Sequence, residues 1–463
     1  MRRSSLFAIV GVFVGVLVAL AAVALIWGDD LAYGRPPEAP NSPVAPPSTP
    51  TLESVSVATQ SGDVATTTTI SADKIREAWA PVAEAGEKGG YDTWVTIHDA
   101  DTGQLLFAEN EDVAHRPAST MKVLTGLFAL ATLDADSTLT TGVSEEGGDL
   151  YLWGEGDLLL AAGSGDKDAI DGHAGLADLA AQVVEHLNAA GVDRVSLHYQ
   201  NALFAGEKRN PGWVEQENSD FAGDVGPFAI DTGRVAPRAW QFVEDSSRTT
   251  ADTLVALLVE GGIQVEAVEP FDGAAPVSAS VIAEVESARL VDQIGFMLAT
   301  SDNTMAEQLC HLAAEESGVE ETTFPAASQA LAGFLGGRGV SVDGLNVADC
   351  SGLDEDSRVS GETLVQALQS TAGAGAQEGT LIRLLPVGGR TGTLAVRFDE
   401  GPTTGNVVAK TGTLGMVAAL AGVMTTASGE NLVFAVGTDN VPESAGGYSS
   451  YYFDEFLKEL AQM

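Results

Sequence analysis

A serine and a lysine at the start of an apolar helical pattern form the first chemically competent pair in this chain. Ser119 and Lys122 are three residues apart, so one face of the predicted helix carries both side chains. A serine hydroxyl is a weak nucleophile until a neighbouring base takes its proton, and a lysine amine at this spacing can do so. Taken alone, the pair is better explained by a helix-capping serine and a solvated lysine.

Two further motifs lie between predicted elements, where their side chains can face a cleft. Ser301-Asp302-Asn303 separates two helical patterns, and Lys410-Thr411-Gly412-Thr413 lies between two strand-like runs. A hydroxyl and an amide can hold a substrate, lysine and threonine supply donors for a carboxylate, and glycine permits close backbone approach. Taken singly, helix capping explains the first of these motifs and a strand end explains the second.

The three motifs together form a recognisable set. Ser-x-x-Lys, Ser-Asp-Asn and Lys-Thr-Gly occur in this order in penicillin-binding proteins and class A β-lactamases. Over about residues 72–463 the chain resembles the class C, type 4 penicillin-binding proteins, the D-alanyl-D-alanine carboxypeptidases and endopeptidases of peptidase family S13. Other segments that carry the resemblance are Arg116-Pro117-Ala118, Gly148-Asp149-Leu150-Tyr151-Leu152, Gly154-Glu155-Gly156-Asp157, Asp349-Cys350-Ser351-Gly352-Leu353, Arg358-Val359-Ser360 and Gly392-Thr393-Leu394.

Two positions complicate the comparison of motifs. Residues 390–394 nearly copy residues 410–414, so either could supply the third motif. We assign it to Lys410, because that lysine joins two strand-like runs and the earlier copy matches a separate family segment. Cys350 stands where the family usually has glycine, which leaves the conformation of that turn open.

The resemblance implies a serine D-alanyl-D-alanine carboxypeptidase or endopeptidase that acts on peptidoglycan stem peptides through an acyl-enzyme. β-Lactams are expected to acylate the same serine. Ser119 is the implied nucleophile, and Lys122 is its base, with a pKa lowered by burial and by nearby Lys410. Ser301 would relay a proton to the leaving amine, and Asn303 would hold the substrate backbone and the base.

The third motif is implied to bind the terminal carboxylate of the substrate. Lys410, Thr411 and Thr413 would donate to it, and Gly412 would leave room for the substrate backbone. The backbone N–H groups of Ser119 and Thr413 would form the oxyanion hole. No cofactor is implied, and the six scattered histidines predict no metal site.

Two other functions share the same fold. A β-lactamase-like hydrolase would need a deacylating base, and Glu315, Glu316, Glu320 and Glu321 follow the second motif in helix-like sequence. A non-catalytic cell-wall-binding protein would have lost a motif, whereas all three motifs are intact in this chain.

The elements that must position these residues can be read from the hydrophobic pattern. Strand-like pairs around turns at 91–110 and 416–438 predict two hairpins, and helical spacing predicts a closing helix over 449–463. Helices are also predicted over 119–133 and 288–299. With the resemblance, this predicts an α+β fold with a five-stranded antiparallel sheet flanked by helices and a helical subdomain that holds Ser119 and Ser301.

A long interval separates the first two motifs and predicts an insertion. Residues 136–285 carry their own turns and apolar runs, including helices near 176–190 and 251–258, each followed by a strand-like run. We predict a large α/β insertion over 136–285 and a catalytic domain made of 72–135 and 286–463.

The N-terminus carries the signals of export. Leu6–Trp27 contains no charge and follows Arg2 and Arg3, which predicts a membrane anchor or a cleaved signal peptide within residues 1–30. Either places the following residues outside the cytoplasm. The Pro/Ser/Thr-rich sequence over 31–71 predicts a stalk.

Charge and cysteine content limit the partners and indicate the compartment. The 463 residues include 23 Lys+Arg and 65 Asp+Glu, for a net charge of −42, which argues against nucleic-acid binding and against a basic membrane-surface helix. Cys310 and Cys350 are the two cysteines of the chain, and outside the cytoplasm they can pair as a disulfide or remain as buried thiols.

Overall fold

The computed structural model describes residues 70–237, 239–371, 377–442 and 446–463. The predicted membrane segment over 6–27 lies outside these ranges, as does the predicted stalk up to residue 69. Inside them, no helix has both the length and the apolar character that crossing a bilayer requires.

Helices and strands are numbered along the described chain. The α-helices are α1 Ala72–Gly89, α2 Met121–Thr132, α3 Leu176–Ala190, α4 Pro211–Glu215, α5 Ser246–Glu260, α6 Leu290–Thr300, α7 Asn303–Glu316, α8 Phe324–Gly337, α9 Gly361–Gln369, α10 Leu381–Leu384 and α11 Gly446–Leu460. The strands are β1 Asp92–Asp99, β2 Leu105–Glu109, β3 Thr140–Glu146, β4 Asp149–Gly154, β5 Asp157–Leu160, β6 Arg194–Gln200, β7 Phe228–Ile230, β8 Gln264–Phe271, β9 Ser280–Glu286, β10 Val407–Leu414, β11 Val417–Thr425 and β12 Asn431–Asp439. Single turns of 3₁₀ helix occupy Ala118–Thr120, Ser219–Phe221, Asp231–Gly233, Glu378–Thr380, Gly392–Leu394 and Gly401–Thr403.

Strands from both ends of the described chain form one antiparallel sheet, which we call the terminal sheet. Its order is β10-β11-β12-β1-β2, so the two predicted hairpins lie side by side. Ile97 at the centre of β1 pairs with Phe434 on one side and Phe107 on the other. The predicted α+β fold with a five-stranded antiparallel sheet is confirmed.

The terminal sheet is covered on both faces, because its central strands are apolar on both sides. On β12, Leu432, Phe434 and Val436 pack in a cluster with α1 and α11. Val433 and Ala435 point the other way and pack with the helical layer of α2, α6, α7, α8 and α9. The period of two along the strand thus divides one strand between two cores.

The helix that follows the first motif begins later than predicted. We expected it from Ser119, but α2 begins at Met121 and Ala118–Thr120 form a 3₁₀ turn. Ala118 has φ of 44°, in the left-handed region, which is incompatible with a regular helical turn at that residue.

A second five-stranded sheet, which we call the inserted sheet, lies between the first two motifs in sequence. Its order is β8-β6-β4-β3-β9, with β6 parallel to both β4 and β8. Helices α3 and α5 pack on it in a separate core. This sheet, with its helices, supplies the predicted α/β insertion. Helix α5 is longer than predicted, because the Asp245 side chain caps it by accepting from the Arg248 N–H at 3.0 Å.

Candidate active site

Ser119 and Lys122 meet at the entrance to the helical layer. Lys122 Nζ lies 3.0 Å from Ser119 Oγ, and it also contacts Asn303 Oδ1 at 2.7 Å and the Ser351 carbonyl oxygen at 2.8 Å. Lys122 is fully buried, whereas Ser119 is half-buried. Three acceptors match the three N–H donors of a lysine ammonium, so the amine is held in one position beside the serine hydroxyl.

A tight turn after α8 presents the Ser351 carbonyl to the lysine. The buried Asp349 carboxylate accepts from Ser351 Oγ at 2.8 Å, from the Gly352 N–H at 2.8 Å and from Trp213 Nε1 at 2.9 Å. Gly352 has φ of 77°, and a Cβ there would overlap the Ala118 carbonyl oxygen, so glycine lets the turn pack against the serine segment. The conformation left open at the Cys350 position is therefore a turn organised around a buried carboxylate.

The two cysteines tie this turn to α7. Cys310 and Cys350 form a disulfide with an S–S distance of 2.09 Å and a Cα–Cα distance of 6.3 Å. Both are fully buried in the helical layer.

The second motif occupies the sharp junction between α6 and α7. Ser301 ends α6 with φ of 61°, and Asp302 caps α7 by accepting from the Met305 N–H at 2.9 Å. Asn303, the first residue of α7, turns its side-chain oxygen to Lys122. The junction is strained at Ser301, because a non-glycine residue in the left-handed region is disfavoured, and such strain is typical of functional sites.

The insertion contributes two partners that sequence reasoning missed. Arg234 Nη2 donates to Asp302 Oδ2 at 2.7 Å, and Asn303 Nδ2 donates to the Phe221 carbonyl oxygen at 3.0 Å. Nothing in the local sequence of either partner pointed to these contacts, because they depend on how the insertion packs on the cleft.

The third motif lies within a strand rather than between two strands, as the sequence analysis had it. Lys410–Thr413 are part of β10, where Lys410 pairs with Ala421 and Gly412 pairs with Ala419 of β11. Strand β10 continues through the motif because the chain does not reverse direction until after Leu414. Fully buried Lys410 places Nζ 2.8 Å from Ser301 Oγ, which joins the second and third motifs.

Strand β10 is an edge of the terminal sheet, and its outer side faces the cleft. The Ala409 N–H donates outward to the Pro386 carbonyl oxygen at 2.9 Å. Because successive N–H groups of a strand alternate in direction, those of Thr411 and Thr413 point to the same outer edge. Thr411 Oγ1 also donates to Thr393 Oγ1 at 2.8 Å, so the near-copy of the motif at 390–394 adds a hydroxyl to the site.

Gly412 allows the edge strand to lie directly against the serine segment. A Cβ on Gly412 would come within 2.7 Å of the Pro117 carbonyl oxygen and 3.2 Å of the Thr120 backbone nitrogen. Any side chain at this position would therefore separate β10 from Ser119.

Burial controls the electrostatics of the two lysines. It lowers the pKa of Lys122 to about 8, and Asp349, Asp302 and Glu307 oppose this shift. The pKa of Lys410 is lowered well below its usual range, by burial first and then by Lys122. The expected lowering of the Lys122 pKa by burial is present. The charge repulsion between the two lysines, however, lowers the pKa of Lys410 rather than that of Lys122.

A buried carboxyl lies behind the base. Glu307 Oε1 accepts from the Ser351 N–H at 2.8 Å, and burial followed by the charge of Asp349 raises the pKa of Glu307 to about 8. Glu307 is four residues after Asn303 on α7, so a glutamate on that helix face among apolar residues was the signal that could have identified it.

The glutamates considered as deacylating bases lie far from this cleft. Asn303 begins α7, and Glu315 follows it by 12 residues, which corresponds to about 18 Å along the helix. Among the described residues there is also no group of three or more His, Cys, Asp and Glu side chains that could hold a metal ion.

Comparison with known proteins places the chain in a family. Residues 80–243 and 238–460 match the D-Ala-D-Ala carboxypeptidase 3 (S13) family. The chain belongs to this family. The prediction drawn from the three motifs is confirmed, and membership in the S13 family implies action on the cell wall, outside the cytoplasm.

Similar proteins cover between 78% and 95% of this chain. Carboxypeptidase DacB of Mycolicibacterium smegmatis is 33% identical over an alignment of 454 positions that covers 95% of this chain and 94% of that protein. The D-alanyl-D-alanine carboxypeptidase of Actinomadura sp. is 28% identical over an alignment of 450 positions that covers 78% of this chain and 80% of that one. The crystal structure of penicillin binding protein 4 from Haemophilus influenzae shares the fold, with a TM-score of 0.69 at 21% identity over 82% of this chain and 99% of that one.

Proposed function

We propose that this S13 family member is a serine D-alanyl-D-alanine carboxypeptidase that cleaves peptidoglycan stem peptides through an acyl-enzyme. The observation that carries the proposal is the contact of Ser119 Oγ with the buried Lys122 amine, at 3.0 Å. The Actinomadura relative is named a D-alanyl-D-alanine carboxypeptidase and the Mycolicibacterium relative a carboxypeptidase, and both names support this proposal.

Acylation begins with the removal of one proton from the nucleophile. Lys122, in its neutral form, takes the proton of Ser119, whose oxygen attacks the carbonyl carbon of the penultimate D-alanine. The oxyanion that forms accepts from the backbone N–H groups of Ser119 and Thr413, which need no rearrangement because the serine turn and the edge strand already hold them. Ser301 relays a proton to the leaving amine, the C–N bond breaks, and D-alanine departs. Water then hydrolyses the ester and frees Ser119.

Lys410 on the edge strand both binds the substrate carboxylate and affects the protonation of the base, Lys122. Lys410, with Thr411 and Thr413, binds the terminal carboxylate, and Asn303 holds the substrate backbone. A carboxylate beside Lys410 favours its charged form. Because two buried ammonium groups disfavour each other, a charged Lys410 keeps Lys122 neutral and ready to accept a proton. Substrate binding and activation of the base are thus coupled.

Four finer assignments complete the proposal. β-Lactams acylate Ser119, because they present an amide carbonyl and a carboxylate to the same groups. Residues 1–30 direct the chain out of the cytoplasm as a membrane anchor through 6–27 or as a cleaved signal, and 31–71 form a stalk. The catalytic domain consists of 72–135 and 286–463, the insertion spans 136–285, and no nucleic acid is bound.

The test is release of D-alanine by the full chain from a peptide that ends in D-Ala-D-Ala. The parent protein should release D-alanine, Ser119→Ala should release none, and Ser317→Ala, a serine at the far end of α7, should match the parent. A cross-linked stem dimer in a parallel reaction measures endopeptidase activity. Absence of D-alanine release by the parent, or equal release by Ser119→Ala, would overturn the proposal.

A further inference from the structure

The inserted sheet has one open face that the proposed reaction does not use. On β4, Leu150 and Leu152 are buried in the core with α3 and α5, whereas Tyr151 and Trp153 point to the opposite side and are half-buried. His198 on β6 stacks on Tyr151 with ring centroids 5.0 Å apart and an interplanar angle of 19°. These side chains, with Phe271 at the end of β8, form an aromatic row across the open face. The ring centroids of Phe271 and Tyr151 are 5.8 Å apart, and the two ring planes are at 77° to each other.

Trp153 is held flat on the sheet. Gly142 pairs with it on β3, and a Cβ at Gly142 would lie within 2.5–3.0 Å of three atoms of the indole ring. The ring therefore lies over a residue that has no side chain. Its Nε1 donates to Ser144 Oγ at 3.0 Å, so the indole is fixed in one orientation with its polar atom satisfied.

The aromatic row ends in a cavity of about 930 Å³. Trp153, Leu203 and Phe204 give it apolar surface, and Gln200 and Asn201 give it amide groups. Acidic side chains at its border are Glu155, Asp272, Glu315, Glu320 and Glu321. A fixed aromatic face beside many hydrogen-bond acceptors suits a ligand that has C–H faces and many O–H and N–H donors.

We propose that this face and cavity bind the sugar backbone of peptidoglycan, while the cleft acts on the stem peptide attached to it. The proposal deepens the proposed function and rests on it for the identity of the polymer. An amino-sugar chain offers C–H faces to Trp153 and Tyr151 and donates hydroxyl and amide hydrogens to the acceptors. The acidic border and the net charge of −42 disfavour an anionic polymer.

The separation of the two sites matches this arrangement. Helix α7 begins at the cleft with Asn303 and reaches the cavity with Glu315, about 18 Å further along its axis. An extended peptide of five or six residues spans about 17–20 Å. A sugar chain held at the cavity could therefore present a stem peptide to Ser119.

Binding to uncharged amino-sugar oligomers that carry no stem peptide tests the proposal without any turnover. The full chain is mixed with β-1,4-linked N-acetylglucosamine oligomers, an uncharged amino-sugar chain, and binding is compared with Trp153→Ala, Tyr151→Ala and the conservative Trp153→Phe. We expect each alanine variant to bind about two- to tenfold more weakly, and Trp153→Phe to recover most of the loss. Tyr451→Ala, an aromatic side chain 58% exposed on α11, is the matched control and should bind as the parent does.

Acylation by benzylpenicillin reports the fold of every variant. Because Trp153 and Tyr151 lie outside the cleft, their variants should be acylated at the parental rate. The inference is overturned if the parent binds the amino-sugar oligomers no better than dextran, if it binds only the stem peptides, or if the Trp153 and Tyr151 variants bind the oligomers as well as the parent. Failure of D-alanine release by a protein that still binds the oligomers would instead overturn the proposed reaction alone.

Discussion

The terminal sheet and the inserted sheet each have five strands, but the first exposes an edge strand and the second exposes a face. The terminal sheet is covered on both faces and offers its edge, where the backbone N–H groups of β10 meet Ser119. The inserted sheet is covered on one face by α3 and α5 and offers the other, where Tyr151 and Trp153 lie. An edge supplies backbone donors for a reaction, whereas an open face supplies side-chain surface for recognition.

The disulfide lies in the helical layer that covers one face of the terminal sheet, and its removal should have the largest effect on stability. Cys310 and Cys350 are separated by 40 residues, and closing such a loop contributes about 3–4 kcal/mol in the chain-entropy model. We expect a Cys310→Ala, Cys350→Ala double variant to unfold at lower denaturant concentration by that amount. Thiol counting on the denatured, unreduced parent provides the check, and two reactive thiols would show that the pair is not bonded.

A glycine in each sheet allows a direct contrast between the regions. Gly412→Ala should reduce acylation by benzylpenicillin by at least about a hundredfold, because its Cβ would push β10 away from the serine segment. Gly142→Ala should leave acylation unchanged and disturb only the Trp153 ring. Acylation kinetics of both variants decide this, and an equal loss in the two would mean that the regions are not independent.

The pH dependence should also separate the regions. Burial lowers the pKa of Lys122 to about 8, and the base works only when it is neutral. We therefore expect kcat/KM for D-alanine release to rise about tenfold per pH unit below pH 8 and to level off above it. Binding of the uncharged amino-sugar oligomers, measured at the same pH values, should not follow this curve. A kcat/KM that falls as the pH rises through 8 would contradict Lys122 as the base.

Salt should have the smallest effect, and it tests how locally Lys410 acts. The net charge of −42 repels a substrate carboxylate at long range, whereas the Lys410 contact is short and buried. With a Debye length of about 10 Å at 0.1 M salt, moderate salt should raise kcat/KM for a D-Ala-D-Ala peptide by screening the distant charges. Lys410→Ala, assayed alongside, should have low activity at every salt concentration. A steady fall with salt, or full activity of Lys410→Ala, would assign the carboxylate to another group.

Much of the cleft was predictable from the sequence, because short spacings and element junctions determine it. A separation of three residues on a helix brings Lys122 to Ser119, and a junction of two helices turns Asn303 inward. The hairpins at both ends predicted the terminal sheet, because each consists of two runs of apolar or alternating apolar and polar residues separated by a clear turn.

The remaining partners depend on contacts between distant segments. Asp349 and Thr393 act through residues that only tertiary packing brings near, and no spacing rule connects them to the three motifs. Glu307 does lie four residues after Asn303 on α7, but its contact with the turn at Ser351 depends on the same packing. Strands β3, β4 and β9 were also not identified, because glycines and acidic side chains such as Gly142 and Glu146 weaken the strand pattern. These glycine and acidic residues lie on the open face of the inserted sheet. The small number of aliphatic side chains on that face therefore explains both why the strands were hard to predict and why the face is exposed.

The central claim is that Ser119 becomes covalently acylated. Intact-mass spectrometry of the full chain with benzylpenicillin, followed by peptide mapping, tests it most directly. We predict one penicilloyl adduct, located on the peptide that contains Ser119, and no adduct on Ser119→Ala with the same thermal stability as the parent. An adduct that persists on Ser119→Ala, or that maps to Ser301 or elsewhere, would contradict the account.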